Sequence, residues 1–315
     1  MEDFVRAHGK ERIDARVDDA AQYTYGMPFS WYPLGEGPTG EFDRRPLFRF
    51  DTFDCSTWVD TVIALSESQS FPDFIKRINS IRYSNGIVSF QTRNHFPNTD
   101  WIENNVHSGL LTDVTEHVAG DISLSSKTVY NTRAAWYAKL DRNRIFLPSL
   151  TQAEQQEKLG ELRKLDQSTE QIASTVNYIP LDSIIVPFKD RGRFKSSDLK
   201  PLVLSKPHRP HLPGPPEDYL VNEALLDRIP TPSLIQIIKV GWDRRGDTGL
   251  IMDVGHRGIL SRRNGKLYFQ QMSLLFKRSL EIPLAEDLFY RLEDPPVKGV
   301  NFYLINDLTH PESKK

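Results

Sequence analysis

Hydrophobic spacing divides this chain into a helical first part and a sheet-forming last third. The clearest helical stretch runs from Cys55 to Ser66, where Val59, Val62 and Ile63 fall on one face. Asp54 is placed to cap it, and Phe53 to staple onto its first turns. Phe74, Ile75 and Ile78 predict a second helix over 71–81. A polar helix is expected over 4–24, broken by Gly26-Met27-Pro28-Phe29. The charged stretch 151–176 reads as a solvated helix, with Thr151 and Glu154 forming a capping box. Residues 34–40 and the Lys-, Arg- and Pro-rich stretch 189–217 read as loops. From Ser233 the pattern changes to strands at 234–240, 249–260, 266–271 and 300–305, with an Asn264-Gly265 hairpin turn. Helices first and an antiparallel sheet later predict an α+β fold.

Composition narrows the options. The chain has 315 residues and 38% hydrophobic content, enough for a substantial core. Forty basic and forty-two acidic residues give no broad footprint for nucleic acid or anionic membrane. One cysteine excludes an intrachain disulfide and a zinc site built from several cysteines. His208 and His211 lie among prolines in a loop and complete no ligand spacing, so neither metal nor cofactor is expected. The amino terminus lacks the features of a signal peptide, and no apolar run reaches transmembrane length.

Chemistry centres on Cys55. In the first helical turn it meets free backbone N–H groups and the positive end of the helix dipole, which favour a thiolate nucleophile. A small buried cysteine packed as a hydrophobe is the alternative. A cysteine nucleophile needs a base and a group to hold that base. Among eight histidines, His256 is best placed, in a strand beside Gly255 and Gly258. Strand alternation puts Leu267, Phe269 and Gln271 on one apolar face, so Gln271 is the expected partner for its imidazole, with Gln270 as the alternative. A satisfied core histidine is the plain reading of His256. The segment Arg82–Asp113 is dense in aromatic and polar residues, either a binding wall or a self-bonded loop cluster. Arg93 and His95 are its foremost binding candidates, since Arg grips carboxylates bidentately. Tyr83, Trp101 and the capping Asp54 join them.

Several motifs together resemble one family. They are Phe53-Asp54-Cys55-Ser56-Thr57-Trp58-Val59, Ile81-Arg82-Tyr83-Ser84-Asn85-Gly86, Arg93-Asn94-His95-Phe96 with Trp101, Gly255-His256-Arg257-Gly258-Ile259-Leu260 and Asn264-Gly265-Lys266-Leu267-Tyr268-Phe269. The sequence resembles the DUF1460 family, an N-acetylmuramoyl-L-alanine amidase-like branch of the NlpC/P60 superfamily of papain-like cysteine hydrolases, from about Ala20 to Leu308. The resemblance implies a papain-like domain over 20–310, with the nucleophile helix packed on an antiparallel sheet and 151–217 as a helical and loop insertion. Residues 1–19 are then an extension and 311–315 a tail. It implies Cys55 as nucleophile, His256 as base and Gln271 as the orienting residue. Two positions depart from the family pattern, Arg257 where it often has Val or Met and Gln271 where it often has His, and Phe29 stands where the superfamily tends to carry a tyrosine near the nucleophile.

The function implied is a cysteine amidase acting on peptidoglycan fragments through a thioester, at the N-acetylmuramoyl-L-alanine bond. The rivals are a γ-D-glutamyl endopeptidase with the same dyad and a non-catalytic muropeptide-binding protein. A monomer is expected. Its substrate would be met in the periplasm or outside the cell, or in the cytoplasm during recycling.

Overall fold

The computed structural model describes residues 2–8, 11–205 and 212–310. The principal sheet is antiparallel. Its strands are β1 (Ser125–Asn131), β2 (Ile172–Pro180), β3 (Ser233–Arg244), β4 (Leu250–Arg263), β5 (Lys266–Ser273), β6 (Arg278–Pro283) and β7 (Val297–Ile305). Their spatial order is β6-β5-β4-β3-β7-β2-β1, and the short segment Leu111–Asp113 also pairs with β7. The helices that matter for the site are α1 (Ile13–Tyr23), α2 (Cys55–Ser66), α3 (Phe71–Arg82), α4 (Gln152–Leu162) and α5 (Leu284–Tyr290). The α+β expectation holds at this level.

The inward residues of the sheet serve two cores. Leu234, Ile259, Met272, Tyr303 and Ile305 pack against Trp58, Val59, Val62 and Ile63 of α2. The opposite face, including Ile235, Ile237, Leu260, Phe269, Val300 and Phe302, packs against Leu284, Leu288 and Phe289 of α5. Val59, Val62 and Ile63 are completely buried. Burial of each such side chain contributes roughly 1.5–3 kcal/mol, so α2 is anchored firmly along its length.

Local signals placed α2 well. Asp54 accepts from the Thr57 N–H at 2.8 Å, and the Thr57 hydroxyl oxygen accepts from the Asp54 N–H at 3.0 Å, closing a capping box. The β4–β5 hairpin turns at Asn264 and Gly265, with φ of 49° and 78°. Those left-handed values are what an Asn-Gly type I′ turn requires.

Three expectations are corrected. The polar helix over 4–24 is two helices, Glu2–His8 and α1. The helix expected to 176 ends at Leu162, and 172–180 is β2, which pairs with β1 and β7. Residues 172–180 of the stretch 151–217 therefore belong to the principal sheet, and the stretch is not an insertion throughout. Ile185–Pro187 and Leu199–Pro201 within it, with Tyr219–Asn222 just beyond it, form a small second sheet. His208, His211 and the 311–315 tail lie outside the described residues. Among the described residues, no helix is long and apolar enough to cross a membrane.

Candidate active site

Cys55 opens α2, and β4 carries His256 to the same cleft. The cleft measures about 560 Å³ and is also lined by Phe29, Trp31, Gln271 and the β5–β6 turn. The strand pairing explains the approach of imidazole and amide. Leu260 faces Phe269 across β4 and β5, so Gly258 and Gln271 come next on that face, and His256 follows. A Cβ at Gly258 would lie 2.4 Å from the Gln270 carbonyl oxygen and 3.2 Å from the Gln271 Cβ. Glycine there allows the two strands to close.

The imidazole is held by a chain of polar contacts. His256 Nε2 lies 2.7 Å from Gln271 Oε1. Gln271 Nε2 donates to Asp287 Oδ1 at 3.0 Å, and Arg291 Nε donates to Asp287 Oδ2 at 2.7 Å. Asp287 can only accept, so the Gln271 NH₂ must face it and the amide oxygen must face the ring. His256 therefore carries its proton on Nε2 and keeps Nδ1 free as an acceptor. Asp287 and Arg291 were missed in the sequence because α5 was missed. Pro283 followed by Glu286 and Asp287 was the available signal of a helix start.

Electrostatics give both groups neutral resting forms. The Cys55 thiol is pushed up to about 11, first by burial and then by the Asp54 carboxylate. Arg257 and Ser56 oppose the shift without cancelling it. This direction is opposite to the lowered thiol pKa expected from the helix start, and desolvation is its first cause. His256 is pulled down to about 4, first by burial and then by Arg291, with Asp287 opposing. Thiol and imidazole thus rest neutral, and no hydrogen bond joins them. Replacing Asp54 with Ser keeps a capping oxygen while removing the charge that raises the thiol. Asp54→Ser is expected to speed iodoacetamide alkylation of Cys55 several-fold at pH 8, read by mass spectrometry, with unchanged helicity by circular dichroism.

A second cavity, about 190 Å³, lies on the other side of the Cys55 turn and is lined by Asp54, Ser56 and Thr57. Arg93, His95 and Trp101 also line it. Their side chains are already engaged. Arg93 donates to Asp43 at 3.0 Å and lies 3.6 Å from Glu36, so the expected grip on an external carboxylate is taken by internal ones. His95 Nε2 lies 2.7 Å from the Phe90 carbonyl oxygen, and its ring packs against Trp136. Burial, then the Arg93 charge, hold His95 well below its ordinary pKa. Trp101 is buried and donates to Asp60 at 2.9 Å. Tyr83 lies outside both cavities, buried, with its hydroxyl donating to the Gly35 carbonyl at 2.8 Å. It is a structural residue. Gln270 points away from the imidazole and donates to Asp18 at 2.6 Å.

Among curated proteins, none matches this chain significantly. The solved structure of protein LPG0564 from Legionella pneumophila, of the DUF1460 family, superposes with a TM-score of 0.82 at 26% identity, over 96% of this chain and 92% of that one. An N-acetylmuramoyl-L-alanine amidase from Bacteroides uniformis superposes with a TM-score of 0.58 at 19% identity, over 94% of this chain and 100% of that one. The latter likeness is one of fold alone. The sequence model of the AmiA-like family, described as N-acetylmuramoyl-L-alanine amidase-like, matches residues 20–200, which take in Cys55 and stop short of His256. That match spans more than half of the sequence, and the chain belongs to the AmiA-like family.

Proposed function

We propose that this protein is a cysteine amidase of peptidoglycan fragments, built on the papain-like NlpC/P60 plan and cutting the N-acetylmuramoyl-L-alanine bond. The observation that carries the reading is the shared cleft of Cys55 and His256, with the imidazole held through Gln271 by Asp287. Family membership supports the amidase class.

The neutral resting pair favours general-base attack over a standing ion pair. His256 Nδ1 takes the thiol proton as the sulfur attacks the amide carbonyl. The Cys55 N–H, one of the free donors of a helix start, meets the developing oxyanion. His256 then protonates the leaving amine, the C–N bond breaks and a thioester remains. Water, deprotonated by the same nitrogen, hydrolyses it and restores the thiol. Asp287 supplies through Gln271 the negative charge that a glutamine lacks, and so supports the transient imidazolium. Such a substrate is met in the periplasm or outside the cell, or in the cytoplasm during recycling.

The test is mass spectrometry of defined muropeptides after incubation with the wild-type chain. Release of a stem peptide beginning at L-alanine is the expected result. Cleavage after D-glutamate would move the assignment to a γ-D-glutamyl endopeptidase. Binding without cleavage, across intact and anhydro fragments, would leave a muropeptide-binding protein.

A further inference from the structure

We propose that the cavity behind the nucleophile turn is a carboxylate-binding subsite, with Arg257 as its principal ligand and Arg144 at its side, reading an α-carboxylate of the substrate's peptide. The proposal rests on the muropeptide reading above and adds to it the group that is recognised and the residue that recognises it.

Arg257 follows His256 on β4 and so leaves the strand on the opposite side, into the smaller cavity. It is only 4% exposed. Its Nε and Nη1 have no hydrogen-bond partner among the described residues. Asp60 pairs with Nη2 at 3.7 Å, an ion pair longer than a hydrogen bond, and its Oδ1 already accepts from Trp101 at 2.9 Å. The guanidinium lies over the Trp101 ring at 4.1 Å. Stacking of this kind holds the plane and leaves the N–H edge for a bidentate acceptor. Buried charged donors are usually satisfied, so this edge is open to an incoming acceptor.

The neighbouring cations do not compete for that anion equally. Arg93 donates to Asp43 at 3.0 Å and pairs with Glu36 at 3.6 Å, so two carboxylates already neutralise it while its Nε and Nη2 keep no hydrogen-bond partner among the described residues. Arg82 donates to the Leu47 carbonyl at 2.7 Å. Arg144 is different. It lies over the Tyr32 ring at 4.1 Å, lines the same cavity and makes no ion pair among the described residues. A planar carboxylate fits the fork of Arg257, with Arg144 adding charge. Asp54, Ser56 and Thr57 line the same cavity, so an anion bound here sits next to the attacking sulfur's turn.

The experiment uses the full chain carrying Cys55→Ala, so that ligand is bound and not turned over. It is titrated calorimetrically with a muropeptide bearing a free α-carboxylate on its second residue, and with the carboxamide counterpart. The carboxylate ligand is expected to bind roughly 10- to 100-fold more tightly, the range of a charge-assisted bidentate contact. Adding Arg257→Gln should reduce that preference to within about threefold, and Arg257→Lys should recover part of it. Equal binding of the two ligands to the parent chain would overturn the subsite with no Arg257 variant needed. An unchanged preference in a folded Arg257→Gln chain would overturn Arg257 as its ligand. No binding of either ligand, with no cleavage by wild type, would overturn the muropeptide reading and the subsite with it.

Discussion

Cys55→Ala is expected to abolish muropeptide cleavage, with kcat falling by at least about 10⁴-fold while the fold is retained. The magnitude follows from what is removed. Without the sulfur no thioester forms, and only binding and the oxyanion donor remain to act on an attacking water. Structure should survive because alanine is the best helix former and the capping box of Asp54 and Thr57 does not involve the thiol. The change in stability should therefore stay within about 1 kcal/mol. His256→Ala is expected to cost a similar factor, and the double variant no more than either single one, because nucleophile and base act as a unit. Single-turnover kinetics with mass-spectrometric detection of the released peptide checks all three. Full activity in Cys55→Ala would refute the cysteine mechanism outright.

Residues whose signals are local were readable in the sequence. The cap at Asp54, the apolar face of α2 and the Asn264-Gly265 turn each depend on neighbours within a few positions. The facing of His256 and Gln271 depends only on strand alternation and one hairpin. What escaped was set by distant partners. Segment β2 does alternate, but the side chains it buries include Ser174 and Tyr178, so a search for apolar residues passes over it. Buried Ser174 is accommodated because it donates to Asp253 on β4, 79 positions away. Helix α5 buries Glu286 and Asp287, residues that read as a solvated face. Arg93 has the chemistry for an external carboxylate, yet Asp43, fifty positions earlier, reaches it first. The elevated thiol pKa escaped for the same reason: the dipole is local and legible, whereas desolvation comes from the assembled fold.

Asp287 carries the second large expectation, a loss in kcat on the order of 10²- to 10³-fold in Asp287→Asn with little change in KM. Its carboxylate determines which end of Gln271 faces the ring. Asparagine can present an NH₂ to Gln271, and the Gln271 amide can then turn its own NH₂ toward His256. The imidazole would answer by moving its proton to Nδ1, where it can no longer accept the thiol proton. The pH profile separates this from a general loss of structure. In the wild type, kcat/KM should fall on the acid side as His256 becomes protonated near pH 4, since only the neutral ring is a base. Asp287 raises that pKa and Arg291 lowers it. Removing the Asp287 charge should therefore move the acid limb to lower pH, and Arg291→Met should move it higher. Each single variant strands a buried partner charge and is expected to lose about 3–5 kcal/mol of stability. The double variant Asp287→Asn/Arg291→Met leaves no charge unpaired, so it should regain much of that stability in thermal melts. Its kcat should stay low, because the amide of Gln271 still lacks an acceptor-only partner. Recovery of activity together with stability would reduce Asp287 to a structural counter-ion.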